Sequence, residues 1–322
     1  MIAEGLISDD SDCVLRLRTS IPAAGPESRR ARRDRRDERD GRHAQLISWW
    51  ASERRDLPWR RTRDPWLLLV SEVMLQQTQV DRVVRYYEAF VERWPTPEHF
   101  ARAALSDVLT AWQGLGYPRR ARNLWRTATV ITERHGGRVP ADLNDLLALP
   151  GVGPYTARAV LAFAFGIDTG VVDTNVGRIL ARWTGRRLTP AEAQRMADEL
   201  VPATEGWAWN QAMMDLGAHT CTKRDPSCGR CPVQPWCAWA GSGQPDPADR
   251  SAGVSTRQAP FEGSDRQARG RLLAALGTGG IERADVARTM GLEHDETRAE
   301  RLARELIAEG LISAADSQLR LG

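Results

Sequence analysis

Residues 149–176 read LPGVGPYTARAVLAFAFGIDTGVVDTNV, a glycine-rich turn, an apolar segment and an acidic turn. Leu143, Leu146, Leu147 and Leu149 have helical spacing ahead of it. Pro154 is suited to open a second helix, where its missing N–H costs nothing. Two helices therefore meet at Pro150-Gly151-Val152-Gly153. Both glycines permit positive φ and leave backbone N–H groups uncovered at a helix N-terminus, an arrangement that suits a phosphate oxygen. A helix-hairpin-helix grip on DNA backbone has this form, and so does the turn of an ordinary αα-hairpin. The motif alone leaves both open.

Asp173, Thr174 and Asn175 follow Val171-Val172 and precede the helical pattern Val176, Ile179, Leu180, Trp183. Asp173 reads as an N-cap. A cap is also compatible with catalysis, because a helix N-terminus keeps a carboxylate ionised and aims it at what lies above.

The rest of the chain fits a large helical core. It has 322 residues, of which 42% are hydrophobic, enough to bury one large core or two moderate ones. The most apolar run, residues 159–167, is far shorter than the ~20 residues of a membrane span. The first residues carry acids and no signal-peptide pattern, so a cytoplasmic protein with no membrane partner is expected. Net charge is only +3, yet 44 of the 45 basic residues are arginine and Lys223 is the single lysine. Arginine richness suits phosphate binding and equally reflects a GC-rich genome.

From His43 the pattern turns helical. Asp64-Pro65-Trp66 opens a helix expected to run through Leu69, Val73, Val80, Val84 and Tyr87. Glu72 lies inside SEVMLQQTQ, residues 71–79, with Gln76 and Gln79 on its face at i+4 and i+7 and Val70, Val73 and Met74 around it. Such a carboxyl should have a raised pKa and donate a proton near neutrality; most helical glutamates are simply solvated. Trp112 to Tyr117 (WQGLGY), followed by Arg119, Arg120, Arg122 and Asn123, is a second glycine-turned junction leading into a basic helix. Cys221, Cys228, Cys231 and Cys237 are spaced C-x6-C-x2-C-x5-C. In a cytoplasmic chain that is a metal site, and spacing leaves zinc and an iron–sulfur cluster both open. Cys13 lies outside it.

Taken together, the hairpin, the interval to Asp173 and the cysteine loop resemble the helix-hairpin-helix DNA glycosylases over residues 43–239. SEVMLQQTQV is similar to the signature of the MutY-type adenine DNA glycosylases. That resemblance implies an all-α core, made of a six-helix barrel domain (residues 65–165) and a 4Fe-4S cluster domain (43–64 plus 166–240). It makes Glu72 the acid that protonates the departing base and Asp173 the carboxylate that stabilises the sugar cation. Tyr155 and Asn175 stand in supporting roles. Gln77, beside Gln76, enters the base stack, and Tyr117 is the aromatic wedge next to the lesion; the family often has a second Tyr where this chain has Pro118. DNA contacts extend to Arg119, to Gly151, Val152 and Gly153 of the hairpin, and to Lys223 in the cysteine loop. The four cysteines are implied to hold one 4Fe-4S cluster. The implied partner is double-stranded DNA with adenine opposite 8-oxoguanine or guanine, and the resemblance implies a monofunctional, monomeric enzyme associated with a bacterial nucleoid. The alternatives are a mismatch thymine glycosylase, an endonuclease III-type glycosylase/lyase, or a non-catalytic iron–sulfur DNA-binding protein. A lyase needs a lysine amine, and Tyr155 takes its place in the hairpin. Gln76-Gln77 match the adenine-specific string.

The flanks are less regular. Residues 1–42 read as a disordered basic arm, with eight Arg against four acids in 28–42. Ile2 to Ser8 recurs unchanged as Ile307 to Ser313, and Leu15-Arg16-Leu17 as Leu319-Arg320-Leu321. A single short duplicate is not a repeat architecture. Residues 241–264 read as a linker. Residues 265–322 give three short helices, about Asp265 to Leu276, Glu282 to Met290 and Asp295 to Glu309, and a strand pair around Ile312 and Leu319, which resembles a small winged-helix module where many MutY proteins carry a Nudix-like domain. Its phosphate contacts should add affinity without reading bases.

Overall fold

A computed structural model describes residues 26–251, 260–315 and 317–322 of the chain. Cys13 and the first copy of the duplicated heptapeptide lie outside the described residues. Residues 1–41 and 42–322 form separate units. The described part of the first is helical backbone from Pro26, the start of α1 (Pro26–Glu53), where a disordered arm was expected. Arg, Ala and Glu are good helix formers, and neither Pro nor Gly interrupts residues 27–40.

In the second unit helices follow one another through short turns: α2 (Pro65–Leu75), α3 (Val80–Arg93), α4 (Pro97–Ala101), α5 (Leu105–Ala111), α6 (Arg119–His135), α7 (Leu143–Leu147), α8 (Pro154–Phe163), α9 (Thr174–Thr184), α10 (Pro190–Leu200) and α11 (Gly206–His219). Two apolar cores organise them. The first gathers α2 to α8 around Leu69, Met74, Phe100, Trp112 and Ile131. The second packs Leu46 and Trp50 of α1 against Ile179, Leu180, Trp209 and Leu216 of α9 and α11. Asp215, fully buried on α11, accepts from Trp50 Nε1 at 2.9 Å, Arg55 Nε at 2.7 Å and Arg60 Nη1 at 2.7 Å, tying α1 and the segment after it to α11. Among the described residues no helix is long and apolar enough to cross a membrane.

The helix opened by Asp64 does not run on to Tyr87. Asp64 caps it through Trp66 and Leu67 N–H, and it stops at Leu75; Gln76 leaves the helix with ψ 110° and Gln77 adopts φ 58° before α3 begins. The polar run Gln-Gln-Thr-Gln offers no apolar face to bury, so the periodicity on either side belongs to two helices. Gln79 consequently leaves the face of Glu72 and becomes the N-cap of α3.

Helices α12 (Asp265–Leu276), α13 (Val286–Met290) and α14 (Glu296–Ala308) follow, with β1 (Ile281–Glu282), β2 (Ile312–Ala315) and β3 (Gln318–Leu321) pairing antiparallel in the order β1-β3-β2. Helices then sheet, with a strand between the first two helices, make a winged-helix-like module. Glu282, expected in a helix, is in β1. The second copy of the heptapeptide spans the end of α14, a left-handed turn at Gly310 (φ 63°) and the start of β2. The module does not hang from a linker. Leu272, Leu273 and Leu276 belong to the same apolar core as Trp112 and Leu115. The expected linker is also partly docked: Asp246 pairs with the buried Arg182 at 2.6 Å, and buried Ser251 accepts from Leu188 N–H at 3.0 Å.

Candidate active site

Helix α2 packs on α8, and α8 and α9 both pack on α11, so the C-terminal half of α2 faces the N-termini of α8 and α9. Three candidate side chains converge there. Glu72 comes from α2 and is 4% exposed; Tyr155 comes from the first turn of α8; Asp173 caps α9, accepting from Val176 N–H at 2.7 Å. Burial pushes the Glu72 carboxyl from 4.5 up to about 7, a hydrogen bond from Tyr155 pulls the other way, and the nearby Asp173 charge adds to the rise. Among the described residues its Oε2 has no hydrogen-bond partner. A buried carboxyl that keeps one oxygen for something other than the fold is equipped to give a proton to a guest. Burial also raises Tyr155 well above its ordinary range, with the Glu72 and Asp173 charges adding to it, so the phenol stays a donor. Burial raises Asp173 as well, opposed by the Val176 and Asn175 hydrogen bonds.

Asp173 is the end of a hydrogen-bonded chain. Asn175 Nδ2 donates to Asp173 Oδ2 at 3.0 Å; Arg178 Nη2 donates to Asn175 Oδ1 at 2.9 Å and to Gly217 O at 2.6 Å; Arg178 Nε donates to Cys221 O at 2.7 Å. Gly217 is required beneath it, since a Cβ there would lie 2.5 Å from that of Asn175. The acid of the α9 cap is thus oriented from the cysteine loop, a connection no motif in the sequence announces.

The two residues expected to enter the base stack sit on neighbouring turns, each in the left-handed region that non-glycine residues rarely adopt: Gln77 at φ 58° and Tyr117 at φ 50°. Gln77 is exposed and Tyr117 half-buried. Arg120 holds both turns. It is buried, and its guanidinium donates to Val73 O and Met74 O at 2.8 Å, to Thr78 Oγ1 at 2.9 Å, and to Leu115 O and Gly116 O at 3.0 and 2.9 Å. Burial lowers its pKa to about 10, which leaves it charged near neutrality. The sequence placed Arg120 at the start of a basic helix; its side chain is the bracket between the C-terminal end of α2 and the turn that carries Tyr117. Arg119 beside it is exposed. Gln76 turns inward, donating to Thr156 Oγ1 of α8 at 3.3 Å.

At the hairpin, α7 and α8 flank the expected glycine turn. Gly151 takes φ 78° and is exposed, with Asn123 of α6 directly beneath it, whereas Gly153 has φ −98° as the N-cap of α8. Only one of the two glycines therefore uses its left-handed freedom. Val152 is buried and its N–H turns inward to Leu149 O at 3.2 Å.

Cys221, Cys228, Cys231 and Cys237 line one cavity with Arg182, Trp183, Leu216 and Trp239. Among the described residues no three Cys, His, Asp or Glu stand close enough to share a single metal ion. Four thiols around one space fit a polynuclear group better than a lone ion. Arg182 donates to Cys221 Sγ at 3.2 Å, placing positive charge beside the four sulfurs. Lys223, Arg224 and Arg230 are exposed on this loop.

A buried glutamate facing an aspartate at a helix cap, with two left-handed turns and a glycine hairpin nearby, is the arrangement that comparison with known proteins places in a class. The family model "HhH-GPD superfamily base excision DNA repair protein" matches residues 70–203. The chain is 43% identical over 275 residues to the adenine DNA glycosylase of Mycobacterium tuberculosis, covering 83% of this chain and 89% of that protein. It is 42% identical over 207 residues to the human adenine DNA glycosylase, covering 60% of this chain and 38% of that one. Among solved structures it is similar to a thermostable thymine-DNA glycosylase (TM-score 0.61, 31% identity, 63% of this chain and 97% of that chain) and to endonuclease III in a non-covalent DNA complex (TM-score 0.56, 25% identity, 63% and 95%). The chain belongs to the adenine DNA glycosylase family within the HhH-GPD superfamily. It is a base-excision repair enzyme that hydrolyses N-glycosyl bonds.

Proposed function

We propose that the enzyme removes adenine mispaired with 8-oxoguanine or guanine, by hydrolysis without strand cleavage. The observation that carries the reading is Glu72: a buried carboxyl with pKa raised to about 7 and one oxygen unclaimed, beside a second carboxylate. Adenine is flipped from the duplex, at a cost of a few kcal/mol that Gln77 and Tyr117 offset by entering the stack. Glu72 Oε2 gives its proton to the base, so the C–N bond breaks with the electron pair leaving on a neutral adenine. The sugar develops positive charge at C1′, which the Asp173 carboxylate stabilises. Water adds at C1′ and loses a proton, returning Glu72 to its acid form through solvent. Tyr155 and Asn175 hold the two carboxyls in place. The exposed Gly151 turn, Arg119 and Lys223 meet phosphates.

The four thiols hold a 4Fe-4S cluster in this reading, and when bound it supplies a rigid cross-link of residues 221–237 rather than a chemical step. Lys223, the single lysine, lies in that loop, and Tyr155 stands where a lyase would carry its amine, so no Schiff base forms.

The test is single-turnover excision on duplexes with adenine opposite 8-oxoguanine, adenine opposite guanine, thymine opposite guanine, and an oxidised pyrimidine. Adenine should be released from the first two, with nicking only after alkali or heat. Asp173→Asn should lose about three orders of magnitude in rate, or ~4 kcal/mol, with duplex affinity kept. Release of thymine in preference to adenine, or a borohydride-trapped adduct in high yield, would refute the reading.

A further inference from the structure

The C-terminal module is docked on the wedge. Gln113, in the loop that ends at Tyr117, donates to Leu273 O of α12 at 3.3 Å, and Arg119 approaches Glu309 at 4.0 Å. Arg266, in the first turn of α12, donates from Nη1 to the Tyr117 hydroxyl at 3.2 Å. Its guanidinium lies 6.0 Å from the ring of Phe261, the most exposed of the large hydrophobic side chains described, at 59%. From the other side the Arg120 guanidinium lies 5.5 Å from the Tyr117 ring centroid. A cation in the first turn opposes the helix dipole, so Arg266 is poorly placed for the stability of α12. It is well placed to fix the tip of a tyrosine whose backbone is already in a left-handed conformation.

We propose that Arg266 is a positioning residue for the wedge: through its hydrogen bond to the Tyr117 hydroxyl, the C-terminal module takes part in recognising the mispair. This rests on Tyr117 entering the stack, as in the function proposed above. The module is then not a tethered affinity tag. Arg120 fixes the turn from within the core and Arg266 fixes the phenol from outside it, so the ring is held in one orientation instead of several. A ring held in advance loses less rotational freedom on insertion, which favours the lesion-bound state over a sliding, non-intercalated one.

The test is a double-mutant cycle on the full-length protein, reading affinity for a duplex with adenine opposite 8-oxoguanine and for a fully paired duplex. Arg266→Ala and Tyr117→Phe should each weaken binding of the mispaired duplex by about tenfold, the scale of one hydrogen bond between a charged and a neutral group, and leave paired-duplex affinity within twofold. The double variant should bind like Tyr117→Phe alone, since both changes delete one bond. Arg266→Lys should recover part of the loss. An Arg266→Ala effect that persists undiminished in the Tyr117→Phe background, or that falls equally on both duplexes with a lower salt slope, would show an ordinary phosphate contact and overturn the proposal. Excision of adenine by the wild type in the same preparations keeps that outcome separate from failure of the functional reading, and melting temperatures within 2–3 °C, roughly 1 kcal/mol for a chain of this size, exclude misfolding.

Discussion

Replacing Glu72 by Gln should make the protein more stable and inactive, and the gain should depend on pH. The carboxyl is buried, and its pKa rises from 4.5 to about 7 on folding. The unfolded chain therefore loses this proton near pH 4.5 and the folded protein only near 7. Between those values the unfolded state binds fewer protons, so stability falls as pH rises, and above about 7 the full penalty is in place. At ~1.36 kcal/mol per unit, a rise of roughly 2.5 units corresponds to ~3 kcal/mol. Gln is nearly isosteric and carries no charge to desolvate, so E72Q should recover up to that amount at pH 8 and almost nothing at pH 4. In urea the midpoint difference between variant and wild type should open steadily from pH 4 to pH 8. Single-turnover excision by E72Q should meanwhile be lost, because an amide has no proton to give. A stability difference that stays constant from pH 4 to 8 would mean that the Glu72 carboxyl titrates alike in the folded and unfolded chain, so that burial does not raise its pKa. A variant that still excises adenine would remove it from the acid's role altogether.

The same carboxyl sets the pH–rate profile: the protonated fraction falls tenfold per unit above about 7, so log rate should decline with slope −1 on the alkaline side, and a flat profile to pH 9 would point to another acid. Cys228→Ser should lose iron and the visible absorbance of about four irons per chain, and one zinc per chain in anaerobically prepared wild type would exclude the cluster. Arg120→Met should destabilise by about 3 kcal/mol, since the carbonyls of Val73, Met74, Leu115 and Gly116 lose a charged donor, and should abolish preference for the mispaired duplex; a change in stability alone would make it only a core residue.

The helical architecture was readable because most of it is set by local signals. Asp64-Pro65, Asp142 and Thr189-Pro190 each start a helix by capping, and the apolar spacing carries each one to its end. The break after Leu75 was hidden because an apolar period that resumes four residues later looks like one helix. It takes the left-handed Gln77 to show that the chain turns there to expose a side chain. Long-range polar contacts left no trace at all. Arg120 stands in a run of arginines and Arg182 in no motif, yet both are buried and spend their donors on carbonyls and carboxylates that come from distant segments. Arginine identity says that a donor fork is present and nothing of what it will meet.

The C-terminal module shows the same limit with a functional consequence. Its first and third helices were legible almost residue for residue, and from the sequence alone it looked detachable, a small unit adding phosphate contacts after a flexible linker. Docking reverses that. Leu272, Leu273 and Leu276 complete the core that contains Trp112 and Leu115, and these lead directly into Gly116 and Tyr117. Removing residues 263–322 would expose those side chains and free the Tyr117 hydroxyl together, so a truncation cannot separate a reader from a scaffold. A single-atom deletion such as Tyr117→Phe leaves the shared core intact and removes only the bond between the two parts. Whether the module contributes to recognition is therefore decided at that hydroxyl and not at the domain boundary.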